Sequence, residues 1–98
     1  MSKIERMMLK FPLALQEAPQ IVPMPPGSVI RHCQMQGGFI CLWTESPVAG
    51  SGWNGEPHQD RQFQIVATGQ PFPDGAEYIG TAPMDHGSLI WHVVEIVA

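Results

Sequence analysis

The side chains in this sequence best suited to proton transfer or metal ligation are its four histidines, and they stand in two kinds of setting. His58 lies two residues from Asp60 in a Gly-rich stretch, and His86 follows Asp85 in a turn-like Asp-His-Gly. His32 and His92 sit inside runs of strand-forming residues. A zinc-type site needs three or four ligands converging at about 2 Å, and no pair here has the local spacing of such a site. Ser51, Ser88, Cys33 and Cys41 have no neighbouring His–carboxylate pair to activate them. There is no nucleotide-binding glycine motif, nucleophile elbow or Cys-x-x-Cys pair, and Gly50-Ser51-Gly52 is followed by no Lys. The chemistry on offer is therefore recognition. His32-x-Gln34-x-Gln36 places a row of uncharged donors and acceptors on one side of a strand. Trp53 and Arg61, further along, add stacking and charge of the kind found on recognition surfaces. These five are the expected binding residues. No catalytic residue, metal ligand or cofactor is expected; a small hydrolase or metal-dependent enzyme using His58, Asp60, His86 and His92 is an alternative reading.

The element that must carry the polar row is a hairpin. Val29–Gln36 and Phe39–Thr44 are strand-like arms around Gly37-Gly38, a turn dipeptide. With the loop centred on Gly37, Cys33 and Cys41 are expected opposite each other, sharing an inward face with Met35 and Phe39. Both are expected to be reduced core residues, as in a reducing compartment.

Ten prolines and ten glycines leave little room for helices. Short runs rich in Val, Ile, Phe, Trp and Tyr predict strands over residues 6–11, 20–24, 29–36, 39–44, 62–68, 77–81 and 88–96. Residues 4–11 fit helical spacing and strand alternation equally well. Pro23 marks the second strand as an edge. The last run, SLIWHVVEIVA, is apolar on both faces, as expected of a central strand or one covered by a neighbouring subunit. Residues 47–61 are expected to form a Gly-rich loop of roughly 15 residues, long enough to be functional or mobile. The expectation is one all-β domain over residues 1–98, a small sandwich or open barrel of about six or seven short strands.

With 98 residues and a hydrophobic fraction of 44%, the chain can bury a core. Only 14% of residues are charged, against about 25% in typical soluble domains. A homo-oligomer is expected on that ground and on the apolar C-terminal run. A net charge of −4 argues against sequence-independent nucleic-acid binding, which needs a basic footprint. The charge is uneven: Lys3, Arg6, Lys10 and Arg31 lie in the first 31 residues against Glu5 and Glu17, whereas Arg61 alone faces seven acids in the rest. The N-terminal ten residues hold no apolar signal-peptide core, and no apolar run approaches the roughly 18 residues of a membrane span. The expectation is an intracellular protein that does not enter membranes.

A series of motifs runs the length of the chain: Lys10-Phe11-Pro12-Leu13, Met24-Pro25-Pro26-Gly27, Ile30-x-His32-x-Gln34-x-Gln36, Cys41-Leu42-Trp43, Arg61-x-Phe63-x-Ile65-Val66-x-Thr68-Gly69, Tyr78-Ile79-Gly80-Thr81 and Leu89-Ile90-Trp91-His92-Val93. In this order, over about residues 9–95, the chain resembles a family of small proteins of unknown function encoded mainly by bacteriophages and prophages. It departs from that pattern at residues 47–60, where the family has a shorter and more charged connector, and at the apolar residues after Glu95. The resemblance carries over no active site. It implies a non-catalytic protein in the cytoplasm of a bacterial host that interferes with a host defence by binding a protein or a small signal molecule. A minor virion or assembly component is the alternative it allows.

Overall fold

The computed structural model describes residues 4–97. Eight strands, β1 (Arg6–Leu13), β2 (Gln20–Met24), β3 (Val29–Gln36), β4 (Phe39–Ala49), β5 (Gly52–Trp53), β6 (Gln59–Ala67), β7 (Glu77–Met84) and β8 (Leu89–Ile96), form two sheets. The first has the order β1-β4-β3, with the short β5 beside the end of β4; the second has the order β2-β6-β8-β7. Every pairing between the longer strands is antiparallel, and only β4 with β5 runs parallel. The all-β expectation holds, as a sandwich rather than an open barrel. The core is made where the inward residues of the sheets meet: Leu13, Cys33, Ile40 and Leu42 from one side, and Met24, Phe63, Ile65, Ala82 and Val93 from the other.

The ambiguous N-terminal run is a strand, extended through Pro12. Proline lacks the N–H a central ladder needs, and Pro12, Pro23 and Pro83 all fall in edge strands, β1, β2 and β7. β8 is central, with β6 and β7 hydrogen-bonded along both its edges. Val93 is fully buried on the inner face and Val94 is 1% exposed on the outer.

Two expectations are corrected. The long loop over 47–61 is much shorter: β4 continues through Pro47 to Ala49, β5 occupies Gly52–Trp53, and β6 starts at Gln59. The extra length of β4 is held by β1, whose Arg6 pairs with Pro47. The two cysteines do not oppose each other. Gly37 and Gly38 both have positive φ, 60° and 84°, as a two-residue turn of type I′ requires. That turn pairs Gln36 with Phe39, so Gln34 meets Cys41 and Cys33 meets Leu42. Cys33 therefore points into the core, while Cys41 and Phe39 stand on the opposite face with the glutamines. Cys41 is nevertheless 2% exposed. Lys10 and Gln36 stand on the rows either side of it, and Lys10 Nζ donates to Gln36 Oε1 at 2.8 Å, bridging above the thiol.

Candidate functional site

The outer face of the first sheet is built by alternation along three strands. β4 contributes Phe39, Cys41, Trp43 and Glu45; β1 contributes Arg6, Met8 and Lys10; β3 contributes His32, Gln34 and Gln36. His32 and Trp43 are register partners, and their rings lie 5.6 Å apart at 47°. The His32 Nε2–H donates to Gln34 Oε1 at 2.9 Å, which fixes the imidazole over the indole. His32, Gln34, Gln36, Lys10 and Phe39 are all exposed. The polar row expected from sequence is thus one continuous surface, extended by Trp43, Phe39 and Lys10, which sequence reasoning had not assigned to it.

A bulge between Ile30 and His32 breaks the alternation and lets Arg31 reach the same surface. There Glu45 Oε1 accepts from Arg31 Nε and Nη2 at 3.2 and 3.1 Å, and Glu45 Oε2 accepts from Arg6 Nε at 3.0 Å. These two guanidiniums hold the Glu45 carboxyl below its ordinary range, the hydrogen bond from Arg6 contributing most. Three cations, Arg6, Lys10 and Arg31, therefore share a face on which Glu45 is the acid, on a chain whose net charge is −4. The N-terminal cluster noted in the sequence becomes a basic patch in space, although Lys3 lies outside the described residues.

Trp53 and Arg61 do not join this surface. Trp53 packs edge-on against His58, with ring centroids 5.2 Å apart, and its Nε1 is buried without a hydrogen-bond partner. Arg61 turns inward and forms a two-pronged ion pair with buried Glu95, Nε to Oε2 at 2.6 Å and Nη2 to Oε1 at 2.7 Å. Its Nη1 donates to Ser28 O at 2.6 Å, tying β6 and β8 to the start of β3 in the other sheet. The hydrogen bonds to Glu95 raise its pKa further. Ser28 continues the network. Its hydroxyl donates to Pro25 O at 2.6 Å, so the Ser46 hydroxyl, 2.8 Å away, donates to Ser28, and that of Thr44, another 2.8 Å on, donates to Ser46. Arg61 is a structural clasp between the sheets.

The histidines of the enzyme alternative are dispersed. His58 is beside Trp53, His86 lies in the 3-10 turn Asp85–Gly87, and His92 is on the outer face of the second sheet. No group of three or more His, Cys, Asp or Glu among the described residues is placed to hold a metal ion. No helix among them is long and apolar enough to cross a membrane.

No curated protein and no solved structure matches this chain. Residues 4–97 match a family described as a domain of unknown function, DUF7352. The match spans nearly the whole sequence, both sheets and the polar face included, and the chain belongs to that family.

Proposed function

We propose that this is a non-catalytic recognition protein that binds an acidic surface of another protein through the outer face of its first sheet. In the phage setting suggested by the sequence resemblance, that partner is a host defence protein in the bacterial cytoplasm. The observation that carries this reading is the gathering of Arg6, Lys10 and Arg31 on one face with exposed His32, Gln34, Gln36 and Phe39. Such a mixture supplies electrostatic steering, adaptable hydrogen bonding and apolar contact together. The assembly alternative draws on an exposed C-terminal strand, and β8 lies inside its sheet. Self-association of copies is part of the proposal. Ile21, at 62% exposed, and Ile96 stand on either side of Gln62 on one row at the end of the second sheet, and supply apolar contact area away from the polar face.

Affinity capture from the bacterial host, comparing wild type with a Lys10→Glu, Gln34→Thr double variant, tests the reading. Both positions are exposed, so folding should change by no more than roughly 0.5 kcal/mol per site. An acidic protein retained by wild type should be lost, with affinity down about tenfold or more, since a hydrogen bond in a desolvated contact costs about 1–3 kcal/mol to remove. Equal retention by both proteins refutes the assignment of this face.

A further inference from the structure

We infer that the outer face of the second sheet holds a binding pocket for a small, uncharged, planar heterocycle of the nucleobase type, separate from the polar face of the first sheet. Val66 and Val94 point away from the sandwich core, yet they are only 2% and 1% exposed. They form the apolar floor of a pocket of about 240 Å³, walled by Phe72 from the β6–β7 connection and by Tyr78, with His92 and Thr68 at its side. Phe72 and Tyr78 are 50% and 65% exposed, two aromatic rings left open to solvent. Pockets for drug-sized ligands run from about 300 Å³ upward, so this smaller one suits a single ring system. An apolar floor with aromatic walls favours a flat π-face, which stacks on such rings whatever substituents its edge carries.

The polar edge of the pocket narrows the class further. Thr68 Oγ1 lies 2.8 Å from His92 Nε2, Thr81 Oγ1 lies 3.0 Å from His92 Nδ1, and Tyr78 Oη lies 2.6 Å from Thr81 Oγ1. With His92 neutral, the chain Thr68–His92–Thr81–Tyr78 holds one more polar hydrogen than its three internal bonds consume. If Nε2 carries the ring proton, every bond points toward Thr68 and the spare hydrogen is on Thr68. If Nδ1 carries it, every bond points toward Tyr78 and the spare hydrogen is there. In either tautomer one end of the chain is a free donor and the other keeps only acceptor lone pairs. A ring that carries a donor and an acceptor at separate positions on its perimeter, as uracil and adenine do, offers a partner to each end of that chain. No Lys or Arg lines the pocket, so a phosphate finds no counter-charge and the heterocycle is neutral.

The test is methyl NMR titration of the intact protein with uracil and adenine, and with benzene as an apolar ring. Uracil or adenine should shift the Val66 and Val94 methyls saturably while the Ile40 and Leu42 methyls of the core stay in place. A Thr68→Val, Tyr78→Phe double variant, which keeps the floor and both walls, should bind about tenfold or more weakly. Phe72→Ala should weaken binding comparably, and Gln34→Thr on the other sheet should leave it unchanged. Absence of saturation by both bases at millimolar concentration overturns the proposal. It is also overturned if benzene binds as well as the bases, or if the double variant binds them like wild type.

Discussion

Gly80 sits against Cys33 with no room for a methyl group between them: a Cβ on Gly80 would stand 2.8 Å from the Cys33 Cβ. Gly80 is on β7 and Cys33 on β3, so this contact sets how closely the two sheets approach at one side of the sandwich. The neighbouring atom is a Cβ fixed to backbone and cannot swing away. Gly80→Ala should therefore destabilise the fold by about 1–3 kcal/mol. Urea unfolding checks this, and Cys33→Gly in the same chain should recover part of the loss. A change within roughly 0.5 kcal/mol would falsify the tight approach of the sheets.

The clasp between Arg61 and Glu95 should reveal itself by the asymmetry of its breakage. Glu95→Gln leaves the half-buried guanidinium without its counter-charge and should cost about 3–5 kcal/mol. Replacing both partners, Arg61→Met with Glu95→Leu, removes the stranded charge and should cost clearly less than either single change. Thermal or urea denaturation of the three variants distinguishes this from an ordinary surface pair, which is worth about 0–1 kcal/mol.

Glu45 gives the polar face an acid sensitivity. Its carboxyl is held low by Arg6 and Arg31, so the unfolded chain takes up this proton at a higher pH than the folded one. The stabilisation is present above the ordinary carboxylate pKa and is lost as pH falls through the lowered folded value. Glu45→Gln should flatten that part of the acid limb in a stability-versus-pH series by lowering the neutral plateau slightly, and should leave stability at low pH, where the carboxyl is protonated anyway, little changed. High salt should have the same effect, because the pair is partly exposed.

The thiols should respond unequally to labelling. Burial pushes Cys33 from 9.0 up to about 11, so it stays protonated at neutral pH. Stability linked to it is complete below about pH 9 and declines as pH rises toward 11. Cys41, flanked on its face by Pro12 and Gln34, lies beneath the Lys10–Gln36 bridge. Without denaturant, neither should react quickly with a bulky maleimide; Lys10→Ala should speed labelling of Cys41 and leave Cys33 untouched. No intramolecular disulfide should form, since the side chains leave opposite faces of the hairpin.

The strands were legible in the sequence because apolar alternation and Gly/Pro punctuation are local signals. The polar row His32, Gln34, Gln36 was legible for the same reason, being a period-two pattern on one arm. The parity of the hairpin was harder. Moving the turn centre by half a residue exchanges the partners of Cys33 and Cys41, and only the positive φ at both Gly37 and Gly38 decides it. Pro47-Val48-Ala49 reads as loop because its extended form is stabilised by β1, some forty residues earlier. The fate of Arg61 was invisible in the same way: its carboxylate partner is 34 positions away. An arginine in a short polar stretch reads as exposed until the facing sheet closes over it.

The prolines of the edge strands have a consequence for how copies of this chain meet in concentrated solution. An open strand edge is a template for fibrous stacking, and β1, β2 and β7 each interrupt that template with a residue that offers no N–H: Pro12, Pro23 and Pro83. β3, the remaining edge, carries the bulge at Arg31 instead, which twists its ladder and sets a charge beside it. Main-chain zippering is thus obstructed along the four long outer strands of the two sheets. Whatever this protein grips, it is built to grip with side chains on the broad faces rather than by lending its backbone to a neighbour.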